Sequence, residues 1–383
     1  MKVALFIPVL GFGGAEKVML TLANGLAEYG HDVDLVLVQK KGALISDVSE
    51  NVSIIDLNAR KTFFSLFKLI RYLRHTRPDI LLSALDNANI ISSLALAFSF
   101  VKTKHIPTLH TNLKRSYQST RSFVQKINPF LLKGVFKRAD RIVAVSNGTA
   151  KHCAQFLNIP LEKIEVIYNP VLGTNIHAAA KASLSHPWFL KKDRPVIVAA
   201  GRLFEAKDYP TMLQGFAGLI KEMPARLLIA GDGKEPLKKE LASLAEHLQI
   251  KDDIEFLGFT ENPYYYMKKA DLFVLSSKWE GFGNVLAEAL YLGTPVVSSH
   301  CESGPEEILN NGEFGTLFPV GDAEKLTEAM KKQLTDPIKI NQIKLKEHLH
   351  KMSREYSVKH YEMLLKRELG EKSETSFGHY PDS

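Results

Sequence analysis

Two runs of alternating strand-like and helix-like segments, separated by one break, constrain this chain more than any single residue does. In the first run, Val3–Val9, Asp32–Val38, Asp79–Ser83, His105–Leu109, Arg141–Val145 and Ile164–Tyr168 are short, apolar and rich in β-branched residues, as buried strands are. Ala15–Tyr29, Lys61–His75 and Asn89–Phe100 lie between them with helical character. Strands separated by helices pair in parallel and carry helices on both faces, because each crossover lays a helix against the sheet. Gly173–Lys192 interrupts the pattern with small and polar residues. The alternation then resumes through the strands Pro195–Ala200, Ala225–Ala230, Ile254–Leu257, Asp271–Ser277 and Pro295–Ser298. Their intervening helices are Tyr209–Glu222, Glu235–Leu248, Pro263–Lys269 and Asn284–Leu292, followed by helices from Pro305, over Ala323–Thr335 and over Pro337–Arg367. The expected fold class is α/β, with two Rossmann-like, doubly wound domains facing a cleft. Residues 1–175 form the first, 176–192 the linker and 193–355 the second. The polar tail Glu371–Ser383 reads as disordered.

A chain of 383 residues is long enough for two cores, and 45% apolar with 24% charged residues is ordinary for a globular protein. Cys153 and Cys301 are too few and too far apart for a disulfide scaffold, which points to the cytoplasm. The apolar start is short and runs into a Gly-rich turn, so it reads as a strand rather than a signal peptide. No stretch is long and apolar enough to span a bilayer. Charge is uneven: residues 1–180 hold 22 Lys and Arg against 12 Asp and Glu. A basic first half suits a phosphate-rich ligand or an anionic membrane surface, unless it serves solubility alone.

Six elements carry candidate chemistry. Glu280 and Glu288 bracket the start of the Asn284–Leu292 helix, whose free N–H groups attract anions. Carboxylates there suit hydroxyls on either side of a phosphate. Arg202 and Lys207 fall in Gly201–Lys207, at the carboxyl end of a parallel strand, where ligands bind in such sheets. Gly11–Lys17 follows the first strand, and glycines there let a backbone approach a ligand closely. The last glycine of the dinucleotide pattern is missing, and the second strand ends Val38-Gln39-Lys40 without an acid, which disfavours NAD. His110 ends an apolar strand in the first half. The helix Lys61–His75 places Phe63, Leu66, Phe67, Ile70 and Leu73 on one face and Lys61, Lys68, Arg71 and His75 on the other. That face packs on the sheet or meets a membrane surface. Basic and aromatic residues also mix across Lys114–Arg138, which suits lipid headgroups; no nucleic-acid recognition motif accompanies them. No Cys/His cluster has zinc-ligand spacing and no convincing Asp-x-Asp site is present, so no metal site is expected.

With these residues in hand, the chain resembles the retaining glycosyltransferases of family 4, which have the GT-B architecture. The resemblance rests on Gly201-Arg202…Lys207, on Glu280…Glu288 and on Ser303-Gly-Pro-Glu-Glu-Ile308, in that order. It implies that Arg202 and Lys207 grip a donor diphosphate, that Glu288 holds ribose hydroxyls, and that Glu280 meets the donor sugar. Backbone N–H groups of Gly283, Asn284 and Val285 would lie near sugar and phosphate, and Phe259 near the base. His110 matches the family's active-site histidine, and Gly13 and Gly14 would line the acceptor side. A final helix, residues 356–370, would cross back onto the first domain. The implied reaction moves a sugar from a nucleotide sugar to a glycan or lipid-linked acceptor, with neither cofactor nor metal. A nucleotide-sugar epimerase on the same architecture is the alternative, and a silent binding module a third. Glu16, an acid close to the acceptor position, has no role assigned.

Overall fold

The computed structural model describes residues 1–113, 117, 123–173, 175–182 and 186–371, with 123–129 and 175 described by their backbone alone. The tail from residue 372 and the basic residues Lys114, Arg115 and Arg121 lie outside the described residues. Among the described residues thirteen strands form two sheets, all parallel. The first contains β1 (Lys2–Ile7), β2 (Asp32–Leu37), β3 (Val52–Asp56), β4 (Ile80–Ala84), β5 (Lys104–Leu109), β6 (Ile142–Ala144) and β7 (Ile164–Val166). Its order is β3-β2-β1-β4-β5-β6-β7. The second contains β8 (Val196–Ala200), β9 (Arg226–Ala230), β10 (Ile254–Gly258), β11 (Leu272–Leu275), β12 (Val296–Ser299) and β13 (Thr316–Phe318), ordered β10-β9-β8-β11-β12-β13.

Alternation along each central strand explains why both sheets are covered twice. In β1, Val3, Leu5 and Ile7 enter one core cluster while Ala4 and Phe6 enter another on the opposite face. In β8, Ile197 and Ala199 face one core and Val196, Val198 and Ala200 the other. Side chains of a strand point alternately, so an all-apolar strand demands helices on both sides. Removing one fully buried ring such as Phe6 would cost about 3–5 kcal/mol. The strand order reverses between β1 and β4 and again between β8 and β11, and ligands of open parallel sheets bind beyond such reversals.

Several expected elements differ. β3 and β13 are additional to the expected strands; both lie at a sheet edge and bury one side chain each, Val52 and Phe318, so their apolar signal is weak. The helix expected over Pro337–Arg367 is two helices, Gln342–His350 and Arg354–Glu368. Between them the Met352 carbonyl accepts from Val171 and Leu172 N–H, and Ser353 caps the second helix through Tyr356 N–H. The expected helix Lys61–His75 begins with a 3-10 turn, Thr62–Ser65, and becomes α-helical only at Leu66–Thr76. Its buried stripe is Leu69, Ile70, Tyr72 and Leu73, anchored by the Tyr72 hydroxyl donating to buried Asp34 at 2.6 Å. Phe63 and Phe67 face outward instead. The stretch between the two alternations is not bare chain, since Asn175–Ala180 and Pro187–Leu190 are helical.

The last helix, Arg354–Glu368, packs on the first, Gly14–Glu28, through Val358, Tyr361, Leu364 and Leu365. Gly25 is the contact point: a β-carbon there would stand 2.7 Å from a Val358 methyl.

Candidate active site

The carboxyl ends of β8 and β11 build one wall. After β8, Gly201 takes φ +150 and its carbonyl accepts from the buried Tyr209 hydroxyl at 2.7 Å. The loop then tightens into a 3-10 turn, Glu205–Lys207, and Asp208 adopts a left-handed conformation. After β11 come two buried serines. Ser276 Oγ donates to the Lys207 carbonyl at 2.7 Å, and Lys278 N–H donates to the Ala206 carbonyl at 2.7 Å, so the two loops are zipped together. The Glu280 carboxylate accepts from Lys207 Nζ and from Ser277 Oγ, each at 2.6 Å. The pair is part-buried, so removing one partner leaves the other charge poorly solvated.

The helix Asn284–Tyr291 starts beside that carboxylate. Gly283 takes φ +99, which glycine adopts without strain, and no side chain caps the first turn. The N–H groups of Asn284 and Val285 therefore lack intrahelical partners and point the positive end of the helix into the cleft. One turn on, Glu288 is buried, and its Oε1 accepts from the Tyr264 hydroxyl at 3.3 Å. Burial pushes the Glu288 carboxyl up; the positive charge of Lys17, the Tyr264 hydrogen bond and Lys207 oppose it.

The first domain supplies the other wall. His110 follows β5, with Nε2 2.8 Å from Thr108 Oγ1, and burial pushes its imidazole down to about 4. Its Nδ1 is buried without a hydrogen-bond partner among the described residues. The Gly281 carbonyl accepts from Ser146 Oγ at 2.7 Å and Thr149 Oγ1 at 2.8 Å. Asn169 Nδ2 donates to Asn284 Oδ1 at 2.9 Å, and Gly14 lies against the same Asn284 side chain. The Glu307 carboxylate accepts from the N–H groups of Asn147 and Gly148, at 2.8 and 2.9 Å, at the start of the helix Asn147–Leu157. Phe12 and Phe259 meet with ring centroids 4.6 Å apart.

Most of the expected site residues thus converge. Lys207, Glu280, Gly283, Asn284, Val285 and Glu288 line one wall, and His110, Gly13 and Gly14 stand on the first-domain side. Gly13 is held in a different way from Gly14: the Glu16 carboxylate folds over it, so close that a β-carbon would overlap an oxygen. Arg202 is exposed and has no ion pair among the described residues. Lys207, expected to face a diphosphate, is paired with Glu280. Sequence reasoning assigned nothing to Lys17, Tyr264 or Ser277. Ser277 closes a buried strand and reads as core; Tyr264 sits in a helix far along the chain; Lys17 reads as an ordinary first-turn cation. Among the described residues no group of three or more His, Cys, Asp and Glu stands close enough together to hold a metal ion.

A positive helix end, a lysine and two differently held carboxylates can bind an anion flanked by hydroxyl-bearing groups, and can stabilise negative charge on a leaving group. Family models agree with the architecture. That of Glycosyltransferase Family 4 matches residues 12–171, and that of Glycosyl transferases group 1 matches residues 181–355. The chain is 30% identical over 346 residues to the N-acetylgalactosamine-N,N'-diacetylbacillosaminyl-diphospho-undecaprenol 4-alpha-N-acetylgalactosaminyltransferase of Campylobacter jejuni, covering 88% of this chain and 90% of that protein. It is 28% identical to the lipopolysaccharide core biosynthesis glycosyltransferase LpsE of Rhizobium meliloti, over 85% and 86% of the two chains. Its fold is similar to that of HepE from Anabaena in complex with UDP-glucose, with a TM-score of 0.79 at 19% identity over 96% of this chain and 100% of that one. The fold, the paired domain matches and the full-length likeness agree, and the chain belongs to family 4 of the glycosyltransferases, built on the GT-B plan.

Proposed function

We propose that the protein transfers a hexosyl residue from a nucleotide-diphosphate sugar to a hydroxyl of a lipid-linked or cell-surface polysaccharide or lipopolysaccharide precursor, retaining anomeric configuration. The observation that carries the donor half is the uncapped helix start at Asn284, flanked by the Lys207–Glu280 pair and by buried Glu288. The diphosphate binds the N–H groups of Asn284 and Val285, with Arg202 and Lys207 as counter-charges; Arg202 is exposed, has no ion pair among the described residues and is available to swing onto it. Glu288 accepts the ribose hydroxyls and Phe259 meets the base. Glu280 holds the donor sugar, and Nδ1 of His110, which has no partner among the described residues, is a second contact for its hydroxyls.

The reaction follows from those contacts. The bond between the anomeric carbon and the phosphate oxygen breaks as the acceptor oxygen bonds the same face. The acceptor proton passes to the departing phosphate oxygen. Lys207, Arg202 and the helix terminus stabilise the charge that develops there, which is the work a divalent cation does in other transferases. No cofactor takes part in these steps. The acceptor class rests on the relatives, since the Campylobacter jejuni protein is named for a diphospho-undecaprenol substrate and the Rhizobium meliloti protein for lipopolysaccharide core biosynthesis.

A lipid-linked acceptor brings the enzyme to a membrane, and we place that contact on the first domain. Phe63, Phe64 and Phe67 are exposed beside Lys61, Lys68 and Arg71. Phe98 and Phe100 are exposed on the neighbouring helix end, tied to this region by Arg74 donating to the Phe98 carbonyl at 2.8 Å. Exposed aromatics among cations suit the headgroup layer of an anionic leaflet at the cytoplasmic face. No helix among the described residues is long and apolar enough to cross a membrane, so the proposed contact is peripheral.

Calorimetric titration of UDP, GDP and ADP without divalent cation tests the donor half. One nucleotide should bind the wild type and lose its binding in Glu288→Ala; failure of all three to bind overturns the reading. Flotation with vesicles containing anionic lipid tests the membrane contact. The variant Phe63→Ser/Phe67→Ser/Phe100→Ser should leave the vesicle fraction, and undiminished flotation rejects this surface.

A further inference from the structure

The Gly-rich turn Gly11–Lys17 belongs to the first domain, yet its side chains reach the second at the nucleoside end of the cleft. Phe12 touches Phe259. Gly14 lies against the Asn284 amide; a β-carbon there would stand 3.2 Å from it. Lys17 projects its ammonium 6.0 Å from the centroid of the Tyr264 ring, whose hydroxyl bonds Glu288. We propose that Lys17 is a donor-positioning residue, contributed by the first domain, which acts through Tyr264 and Glu288 on the ribose of the bound nucleotide. This rests on the reading of Glu288 as the ribose-binding acid.

Glu288 must be ionised to accept two hydroxyl hydrogens, because a protonated carboxyl spends one oxygen as a donor. Burial works against that charge, and few groups oppose it. From the helix Pro263–Lys269 come Tyr264, which donates to Glu288, and Lys268, whose amine is spent on the Leu292 carbonyl at 2.6 Å. From Pro305–Ile308 come Glu306 and Glu307, engaged by His300 and by Asn147 and Gly148. Lys207 is held by Glu280. Lys17 is the cation on the first domain that faces Glu288, and it has no ion pair of its own among the described residues. Its help is present only while the two domains are together. Closure and ribose binding therefore favour each other: the closed cleft readies the carboxylate, and the ribose contacts both Glu288 and the arrangement that holds it. A first-turn lysine with a purely structural role would have no such effect on the pH dependence of nucleotide binding.

The experiment is calorimetric titration of whichever of UDP, GDP and ADP binds, from pH 8 to pH 5, with the full-length wild type, Lys17→Met, Lys17→Arg and Tyr264→Phe. In Lys17→Met the affinity should fall about threefold to tenfold at neutral pH, and its decline toward acid should begin at a higher pH than in the wild type, since a lost neighbouring cation raises a carboxyl pKa. Lys17→Arg should restore the wild-type profile. Tyr264→Phe, which keeps the ring and removes the hydroxyl bonded to Glu288, should move the acid limb in the same direction. A Lys17→Met profile that superposes on the wild type overturns this inference alone. Absence of nucleotide binding to the folded wild type overturns both it and the reading of the donor site.

Discussion

Gly281 meets His110 backbone to backbone: a β-carbon on the glycine would lie 2.1 Å from the histidine carbonyl oxygen. The turn that carries Glu280 is thereby seated on the strand end that carries His110, and the Ser146 and Thr149 hydroxyls hold it there through the Gly281 carbonyl. Neither partner is a flexible side chain, so any substituent at this point pushes the two domains apart.

Gly281→Ala should therefore lower kcat/KM by about a hundredfold, the scale of a displacement of about 1 Å in a site. Melting temperature should change little, because neither core is touched. Steady-state kinetics beside a thermal scan checks this, and wild-type kcat/KM in the variant would show that the contact is not needed for catalysis.

Glu280→Gln keeps the shape of the side chain and removes its charge. Lys207 then loses its ionic partner at 2.6 Å while Ser277 can still donate to the amide oxygen. Turnover should fall by about two to three orders of magnitude, as expected for a group that acts in the transition state. Nucleotide affinity should hold or rise, because Lys207 is freed toward phosphate. Calorimetry with the nucleotide and initial rates with the full donor separate the two effects.

Glu307 ties the second domain to the start of the helix Asn147–Leu157 in the first. Its carboxylate accepts from Asn147 N–H, Asn147 Nδ2 and Gly148 N–H, at 2.8, 2.9 and 2.9 Å, where the helix dipole favours an anion. Removing it in Glu307→Ala should weaken closure by about 1–2 kcal/mol. The radius of gyration in small-angle scattering should grow and the apparent KM for donor should rise about tenfold. An unchanged scattering curve would refute the tie.

His105 lies in β5 with its Nε2 3.0 Å from Ser83 Oγ, and burial pushes its imidazole down to about 4. In the unfolded chain the same group titrates near 6.5. Between these values the unfolded state binds a proton that the folded state refuses. The associated stability is complete above about pH 6.5 and is lost as pH falls toward about 4, by up to about 1.4 kcal/mol per pH unit. Urea midpoints should drop steeply from pH 7 to pH 5, and His105→Gln should flatten that slope. His110 contributes in the same direction.

The alternation of apolar and amphipathic segments was enough to place most of the strands, because central strands such as β1 and β8 are apolar on both faces and cannot be read otherwise. It failed at β3 and β13, where a strand at the sheet edge needs little apolar surface. It also failed at Lys351–Ser353, where a helical pattern continues but the backbone turns aside to bond Val171 and Leu172. Motif spacing brought Glu280, Glu288 and Lys207 to one wall. It was silent on Lys17, Tyr264 and Ser277, since a contact between the first helix and residue 264 leaves no trace in local periodicity. Nor does spacing disclose that Lys207 and Glu280 satisfy each other.

The closing helix, seated on Gly25 through Val358 and on the first core through Tyr361, Leu364 and Leu365, has a consequence for how the protein is made. A helix synthesised after both sheets completes the side of the domain synthesised first. As the chain leaves the ribosome, the first helix waits with its apolar flank uncovered until Arg354–Glu368 emerges, and during that interval it is open to chaperones and to neighbouring nascent chains. A premature stop before Arg354 would leave that flank permanently bare, so even a truncation that spares every residue of the donor wall should yield an aggregation-prone product.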